Sequence, residues 1–199
     1  MADSSPFYLP QRIETDRLLL RILQSGDGRM LHEAASESFA ELHPWMEFAK
    51  KPTTVSETEN FVREAAHRFL SRDELNFILL RKADQQVVGA LGVHHIDWEV
   101  PCFELGYWAR TSLSGQGYMT EALRALVRFV FDTLNAERAE IRCDSRNDRS
   151  AALARRADFT LEATLRHQAR ANDDSLRDTL VFALLRNEYL VLYGRGGVT

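Results

Sequence analysis

The sequence predicts an α/β domain built on a mixed sheet with few crossovers, and three observations carry that prediction. Short apolar runs bounded by polar turns recur along the chain, and two segments hold apolar residues at helical spacing. In addition, the strand-like runs at 77–80, 87–93 and 103–108 follow one another with no helix between them. A strictly alternating βαβ array would insert a helix after each strand, so a doubly wound parallel sheet is excluded.

Taken in order, Leu18-Leu19-Leu20-Arg21 reads as the first strand. Met30, Leu31, Ala34 and Ala35 then fall at helical spacing, and Pro44 and Pro52 break the following stretch into short pieces. Ser56-Glu57-Thr58-Glu59 has the form of a capping box, with a hydroxyl at the N-cap and a carboxylate three residues on. The helix it opens carries Phe61, Val62, Ala65, Phe69 and Leu70 on one side and stops near Arg72. Phe77-Ile78-Leu79-Leu80 and the return Val87 to Val93, joined by the polar turn Ala83 to Gln86, make a hairpin. Gly89 and Gly92 in that return predict a bulge or a close backbone neighbour. After a loop around Trp98 and Pro101, Phe103 to Trp108 forms another strand.

The clearest helix runs from Tyr118 to Leu134, where Leu123, Leu126, Val127, Val130 and Leu134 mark one face of a 3.6-residue period. Ile141-Arg142-Cys143 is a short strand and Ser150 to Arg156 a short helix. Phe159, Leu161, Ala163 and Leu165 alternate with polar residues, and Thr179 to Leu184 closes as a strand. With no internal repeat and no long linker, a single domain over 12–190 is expected, with 1–11 and 194–199 as flexible termini.

Composition narrows the function. The 199 residues are 45% hydrophobic and 27% charged, with a net charge of −4, so neither a disordered chain nor a basic nucleic-acid face is expected. Cys102 and Cys143 cannot make a disulfide framework and no CxxC is present, so both read as reduced, half-buried thiols and no metal is expected. No stretch approaches the roughly 20 apolar residues of a membrane span. The opening residues have neither the basic region nor the apolar core of a signal peptide, and a cytoplasmic protein is the expectation.

The chemistry concentrates in Phe103 to Ala122, where a strand enters a turn on Gly115-Gln116-Gly117 and the long helix starts directly after it. Glycines let backbone approach a ligand, and a helix start offers unpaired N–H groups at a positive dipole end, so this geometry suits phosphate or pyrophosphate. No Lys follows in the P-loop sense, and Thr120 stands where a dinucleotide fingerprint needs its third Gly. ATP and NAD are thereby disfavoured, while a purely structural turn remains open.

The string Ser112-Leu-Ser-Gly115-Gln-Gly117 resembles the glycine turn of the GNAT superfamily of acyl-CoA N-acyltransferases. Together with Glu104-Leu-Gly-Tyr-Trp108, Asn147-Asp-Arg-Ser150 and the opening Ile13 to Arg21, it is similar to the branch that acetylates ribosomal-protein N-termini (RimJ/RimL type). The resemblance covers about residues 12–190. It implies a six- to seven-stranded, mostly antiparallel sheet with splayed central strands and flanking helices, an acetyl-CoA co-substrate, no metal and a possible homodimer. It further implies that the pyrophosphate lies on the backbone of Gln116, Gly117, Tyr118 and Met119, with Gly115 giving the turn and Thr120 a hydroxyl. The pantetheine arm would pair with the backbone of Trp108, Ala109 and Arg110.

On the same resemblance the reaction is direct attack of a neutral amine on the thioester, with Glu104 as general base through a water and Ser150 as donor near the departing thiolate. Phe103, Leu105, Tyr107 and Trp108 around Glu104 could raise its pKa by desolvation. Glu104 could equally be an outward-facing residue of an alternating strand, and Asn147 and Ser150 could simply cap the helix that follows. Three positions depart from the family pattern: Ser112 replaces a Gln or Arg, Met119 a small residue, and Ala169, with Asp173 and Asp174 a few residues on, stands near an expected acidic residue.

Other side chains carry two readings each. His94-His95 read as strand-end structural residues rather than a metal or base site. Trp45, Phe48 and Trp98 read either as core aromatics or as the border of an acceptor pocket. Among Arg142, Arg146, Arg149, Arg155 and Arg156, either Arg149 or Arg155 could reach an adenosine 3′-phosphate, or the stretch is a solvated face. The expected function is acetylation of a primary amine, a protein or peptide N-terminus first. Acetylation of a small amine (an aminoglycoside, polyamine or amino acid) and non-catalytic acyl-CoA binding are the rivals.

Overall fold

The computed structural model describes residues 9–194. One eight-stranded sheet runs in the order β1-β2-β3-β4-β5-β6-β8-β7. Its strands are β1 (Arg12–Glu14), β2 (Leu18–Ile22), β3 (Leu75–Arg81), β4 (Val87–Asp97), β5 (Cys102–Ala109), β6 (Arg138–Asp144), β7 (Thr160–Arg170) and β8 (Leu176–Leu185). Every pairing is antiparallel except β5 with β6. The strand beyond the expected number is β1, whose three residues are too short to show a period.

Among the described residues six α-helices flank the sheet: α1 (Gly28–Glu37), α2 (Phe39–Leu42), α3 (Val55–Ser71), α4 (Tyr118–Arg128), α5 (Asp148–Arg156) and α6 (Arg186–Tyr193). Alternation along each strand divides the core between two faces. Leu18, Leu20, Phe103 and Leu105 pack with Leu123, Leu126 and Val127 of α4 and with Ala151 and Ala154 of α5. On the other face Ile78, Leu80 and Val87 pack with Leu31 and Ala34 of α1 and Val62 and Ala65 of α3, with Trp108 against them. Nothing among the described helices is long and apolar enough to cross a membrane.

α5 starts two residues early at Asp148, α6 was not expected from the sequence, and two further helices differ from expectation. The first begins two residues early, with Thr54 as N-cap and a reciprocal capping box between Thr54 and Glu57. Glu59, the carboxylate of the expected box, is instead taken by the backbone N–H groups of Gly26 and Gly28, 2.9 and 3.0 Å away. Of its expected apolar side, Val62, Ala65 and Phe69 are buried while Phe61 and Leu70 are exposed. The other is the long helix, which is α-helical only to Arg128 and finishes in a π turn at Phe129–Thr133, keeping Phe129, Val130 and Phe131 buried.

At the chain ends, residues 1–8 and 195–199 of the expected flexible termini lie outside the described residues. Leu9 is buried in the main core, and the Gln11 carbonyl accepts a hydrogen bond from Ile22. Both cysteines are free, Cys143 buried and Cys102 half-buried.

Candidate active site

The site is an opening in the sheet. β5 pairs with β6 over only three positions, Cys102 to Glu104 against Arg138 to Glu140. Beyond Glu104, β5 stays with β4 as far as Ala109, while β6 stays with β8 as far as Asp144. The two strands therefore part, and an open cleft with a volume of about 1260 Å³ fills the gap. That exceeds the roughly 300–1,000 Å³ of ordinary single-ligand pockets, leaving space for two reactants.

Of the twelve residues picked out from the sequence, ten line this cleft: Glu104, Trp108, Ala109, Gly115, Gly117, Tyr118, Met119, Thr120, Asn147 and Ser150. Arg110 does not. Its N–H goes to the Val88 carbonyl at 2.8 Å and its guanidinium to Glu37, whose carboxyl is held down at about 2 by Arg110 and by hydrogen bonds from Ser112. The Arg110 backbone, expected to pair with an extended ligand, instead anchors the entry to the turn. Gln116 also lies outside the cleft lining; its carbonyl accepts a 3.0 Å bond from Arg17.

The glycine turn is braced from the turn between β1 and β2. Gly115 and Gly117 sit at φ +77° and +80°, and Gly117 is the N-cap of α4 with no side chain capping the helix. The Gly117 carbonyl takes its bond from Glu121, so the first turn of α4 presents its N–H groups toward the cleft. Such a helix start suits an anionic phosphate group. Glu121 and Arg17 lock it in place. Arg17 Nε reaches Glu121 at 2.6 Å, the Arg17 guanidinium lies 4.4 Å from the Tyr118 ring centroid, and Thr15 Oγ1 donates to Glu121 at 2.6 Å. Burial pushes the Glu121 carboxyl up, but those hydrogen bonds outweigh it and leave the pKa lowered.

Strand parity places the reactive groups on opposite faces of β5. Tyr107 points toward α5, where its hydroxyl lies 3.0 Å from Ser150 Oγ. Burial raises this phenol to about 12 against the opposing effect of the Ser150 bond. Ser150 is thus held by Tyr107, while Asn147 caps α5 by accepting the Ser150 N–H at 3.0 Å. Capping falls to Asn147, and the Ser150 hydroxyl is left for the cleft.

Glu104 points to the other face, directly across from His94 and bonded to His95 Nδ1 at 2.9 Å. His94 also lines the cleft, and its pKa is lowered, chiefly by burial. The two histidines, near the end of β4, are therefore gathered beside Glu104.

At the mouth on this face, Trp45 lines the cleft, and Phe48 lies 6.0 Å from Trp108 between ring centroids. Trp98 is elsewhere, packed edge-on against Phe103. Arg149 faces the cleft, whereas Arg155 lies over the Phe182 ring. Asp173 and Asp174 are spent on Ser175 and Lys50. Among the described residues no group of three or more His, Cys, Asp or Glu could hold a metal.

The family profile described as an acetyltransferase (GNAT) domain matches residues 17–160, well over half of the chain. The chain belongs to the GNAT acetyltransferase family. Among relatives, it is 28% identical over 179 residues to the N-acetyltransferase p20 of Bacillus licheniformis, covering 90% of this chain and 98% of that protein. It is 30% identical over 100 residues to a ribosomal-protein-serine acetyltransferase of Escherichia coli (strain K12), covering 50% of this chain and 55% of that one. A solved structure of RimL, a ribosomal L7/L12 alpha-N-protein acetyltransferase in complex with coenzyme A, superposes with a TM-score of 0.81 at 24% identity. That superposition covers 90% of this chain and 98% of RimL, and it establishes the shared fold.

Within this GNAT domain, Arg17 and Tyr107 had no contacts assigned from the sequence, and the two histidines were read as structural. Arg17 belonged to the opening motif Ile13 to Arg21 but had no assigned partner. Tyr107 was legible by parity, since it is three positions from Glu104 on an alternating strand and must face the other way.

Proposed function

We propose that this GNAT domain transfers the acetyl group of acetyl-CoA directly to a primary amine, the α-amine of a protein or peptide N-terminus. The observation that carries the proposal is the arrangement around the parted strands. The N–H groups of α4 and the Tyr107–Ser150 pair serve one face, and Glu104 waits on the other. The pyrophosphate rests on Gly117, Tyr118, Met119 and Thr120, and the acyl arm follows β5 along Trp108 and Ala109 into the gap.

The amine enters past Trp45 and attacks the thioester carbon. A nitrogen–carbon bond forms, the carbon–sulfur bond breaks, the proton gained by nitrogen passes to Glu104 through a water, and coenzyme A leaves as a thiolate that the Ser150 hydroxyl meets. No enzyme-bound acyl group is required. An α-amine near pKa 7.8 is about 15% neutral at pH 7, against about 0.04% for a lysine near 10.4, so an N-terminal acceptor matches a single carboxylate base. The names of the ribosomal-protein acetyltransferases similar to this chain support the same substrate class.

A polycationic small amine is the second reading. Glu41 and Glu47, both lining the acceptor mouth, favour it.

Calorimetric titration tests the first step: about one acetyl-CoA binds per chain, while ATP and NAD do not. Absence of acetyl-CoA binding would overturn the glycine-turn assignment. Thiol release is then compared between peptides with free N-termini and spermidine, and faster turnover of spermidine would replace the first reading with the second. The same titration checks the brace. Arg17→Ala removes a charge-assisted bond from the turn and should weaken acetyl-CoA binding about tenfold, equivalent to about 1.4 kcal/mol.

A further inference from the structure

β4 carries one extra residue between the pairs His94↔Glu104 and Asp97↔Cys102, and His95 occupies the bulge at φ +45°. A bulge breaks the alternation of side chains, so two successive residues can serve one face. Here that brings both imidazoles to one carboxylate. His94 sits opposite Glu104 with its ring over Gly92 and Gly106, so close that a Cβ at Gly92 would lie 2.9 Å from His94 Nε2. His95 holds the other side of Glu104 at 2.9 Å, and its side chain is 80% exposed where that of Glu104 is 24% exposed. A non-glycine residue in the left-handed region is strained, and strain at a pairing irregularity beside a cleft is more than a strand end requires. The groups facing this pair are Glu74, 3.8 Å from His94 Nδ1, and Arg68 of α3, which is bonded to Glu74.

The geometry points to His95 as the exit of a proton relay, in which Glu104 takes the proton from the attacking amine and passes it through His95 to solvent. The inference rests on Glu104 being the base, as proposed above. The carboxylate gains one proton as the nitrogen–carbon bond forms. With His95 in its Nε2–H tautomer, the protonated carboxyl gives that proton to Nδ1 and returns to carboxylate. The imidazolium then loses its Nε2 proton to buffer, which leaves Nδ1–H donating to Glu104, and proton exchange with solvent restores the Nε2–H tautomer for the next turnover. His94, half-buried, shapes the cleft floor and shields the carboxylate from bulk water on the inner side. His95 thereby acts through Glu104, as a positioning and relay residue that never meets the substrate.

The test follows thiol release from acetyl-CoA, with a peptide bearing a free N-terminal serine and with water alone as acceptor. His95→Ala, His95→Gln and Glu104→Gln are compared with the unaltered chain, with thermal melting as the check on folding. His95→Ala should lower kcat about tenfold, less than the full contribution of a general base, with the peptide KM within about twofold. Added imidazole should restore most of the lost rate in His95→Ala and none in Glu104→Gln. His95→Gln, which keeps a donor toward Glu104 but carries no proton, should be as slow as His95→Ala. Full activity in His95→Gln would reduce His95 to a hydrogen-bond partner and overturn the relay. Full activity in His95→Ala beside a slow Glu104→Gln would overturn the relay and leave the base standing. Full activity in Glu104→Gln would remove both.

Discussion

Glu104→Gln should lower kcat/KM for a peptide acceptor by about a hundredfold at pH 7, the lower end of what a positioned general base contributes. Glutamine keeps the size of the side chain and can still bond His95, so the loss isolates the charge and proton-accepting power of the carboxylate. Acetyl-CoA affinity should stay within about twofold, because the glycine turn and the Tyr107–Ser150 pair lie on the other face of β5.

The pH dependence of the loss then separates two jobs. If Glu104 deprotonates a bound ammonium, the deficit shrinks as pH rises toward 9 and the free α-amine becomes neutral by itself. If it drains the proton that appears on nitrogen during attack, the deficit persists. The proposed mechanism requires the second pattern. Under that pattern a lysine-presenting peptide, whose neutral fraction is about 400-fold smaller at pH 7, is slower with either enzyme but loses no more from the substitution. A larger loss with lysine marks deprotonation of the ammonium. A loss below about threefold with every acceptor would take Glu104 out of the base role.

Elements whose logic is local were readable from the sequence. The face Leu123, Leu126 and Val127 of α4 is a simple period and is fully buried. The turn at Gly115-Gln116-Gly117 announces itself by glycines directly before that period. Of the two strand glycines, Gly89 marks a shift of register against Leu79 and Leu80 of the facing strand, while Gly92 pairs regularly and has a close backbone neighbour in the Leu75 carbonyl.

Features that depend on a distant partner were not readable. Thr54-x-x-Glu57 and Ser56-x-x-Glu59 both satisfy capping-box spacing, and the choice is made by Gly26 and Gly28, which claim Glu59 from some thirty residues away. The π turn after Arg128 keeps three consecutive residues buried, which no straight 3.6-residue face can do. The histidines are the clearest case. On an unbroken strand His94 and His95 would face opposite ways, and only the register against β5 reveals the bulge that brings both to Glu104. Likewise the cleft exists because β5 and β6 stop pairing after Glu104, a property of two strands separated by a whole helix. The chemistry-bearing residues could be identified from the sequence, but not the faces on which they meet.

Gly89→Ala should be the most destabilising single-methyl change in the site, and a parallel Gly115→Ala shows why. Both glycines have positive φ, +154° and +77°. Around Gly115 nothing lies within 4 Å of an added Cβ, so the cost there is the left-handed conformation alone, on the order of 1 kcal/mol. At Gly89 the added carbon would land on the Trp108 carbonyl oxygen and 3.0 Å from Ala109 Cα. Those are backbone atoms, so no rotamer change can move them aside. Either β4 withdraws from β5 at the Gly89↔Ala109 pair, taking with it the bond from Arg110 to Val88, or the strain is borne in place. Strain and overpacking together come to about 3 kcal/mol or more, a fall in Tm on the order of 6–12 °C for a domain of this size.

The damage falls on function as well. Trp108 and Ala109 form the β5 edge proposed to carry the acyl arm, and Arg110 anchors the entry to the glycine turn. Acetyl-CoA binding should therefore weaken several-fold at temperatures where Gly89→Ala is still folded, whereas Gly115→Ala loses affinity only through the turn itself. Thermal melts and calorimetry on the two variants decide the matter. Equal stability of the pair would mean that the end of β5 yields easily, and a strand edge that yields cannot hold an extended ligand in register with Glu104.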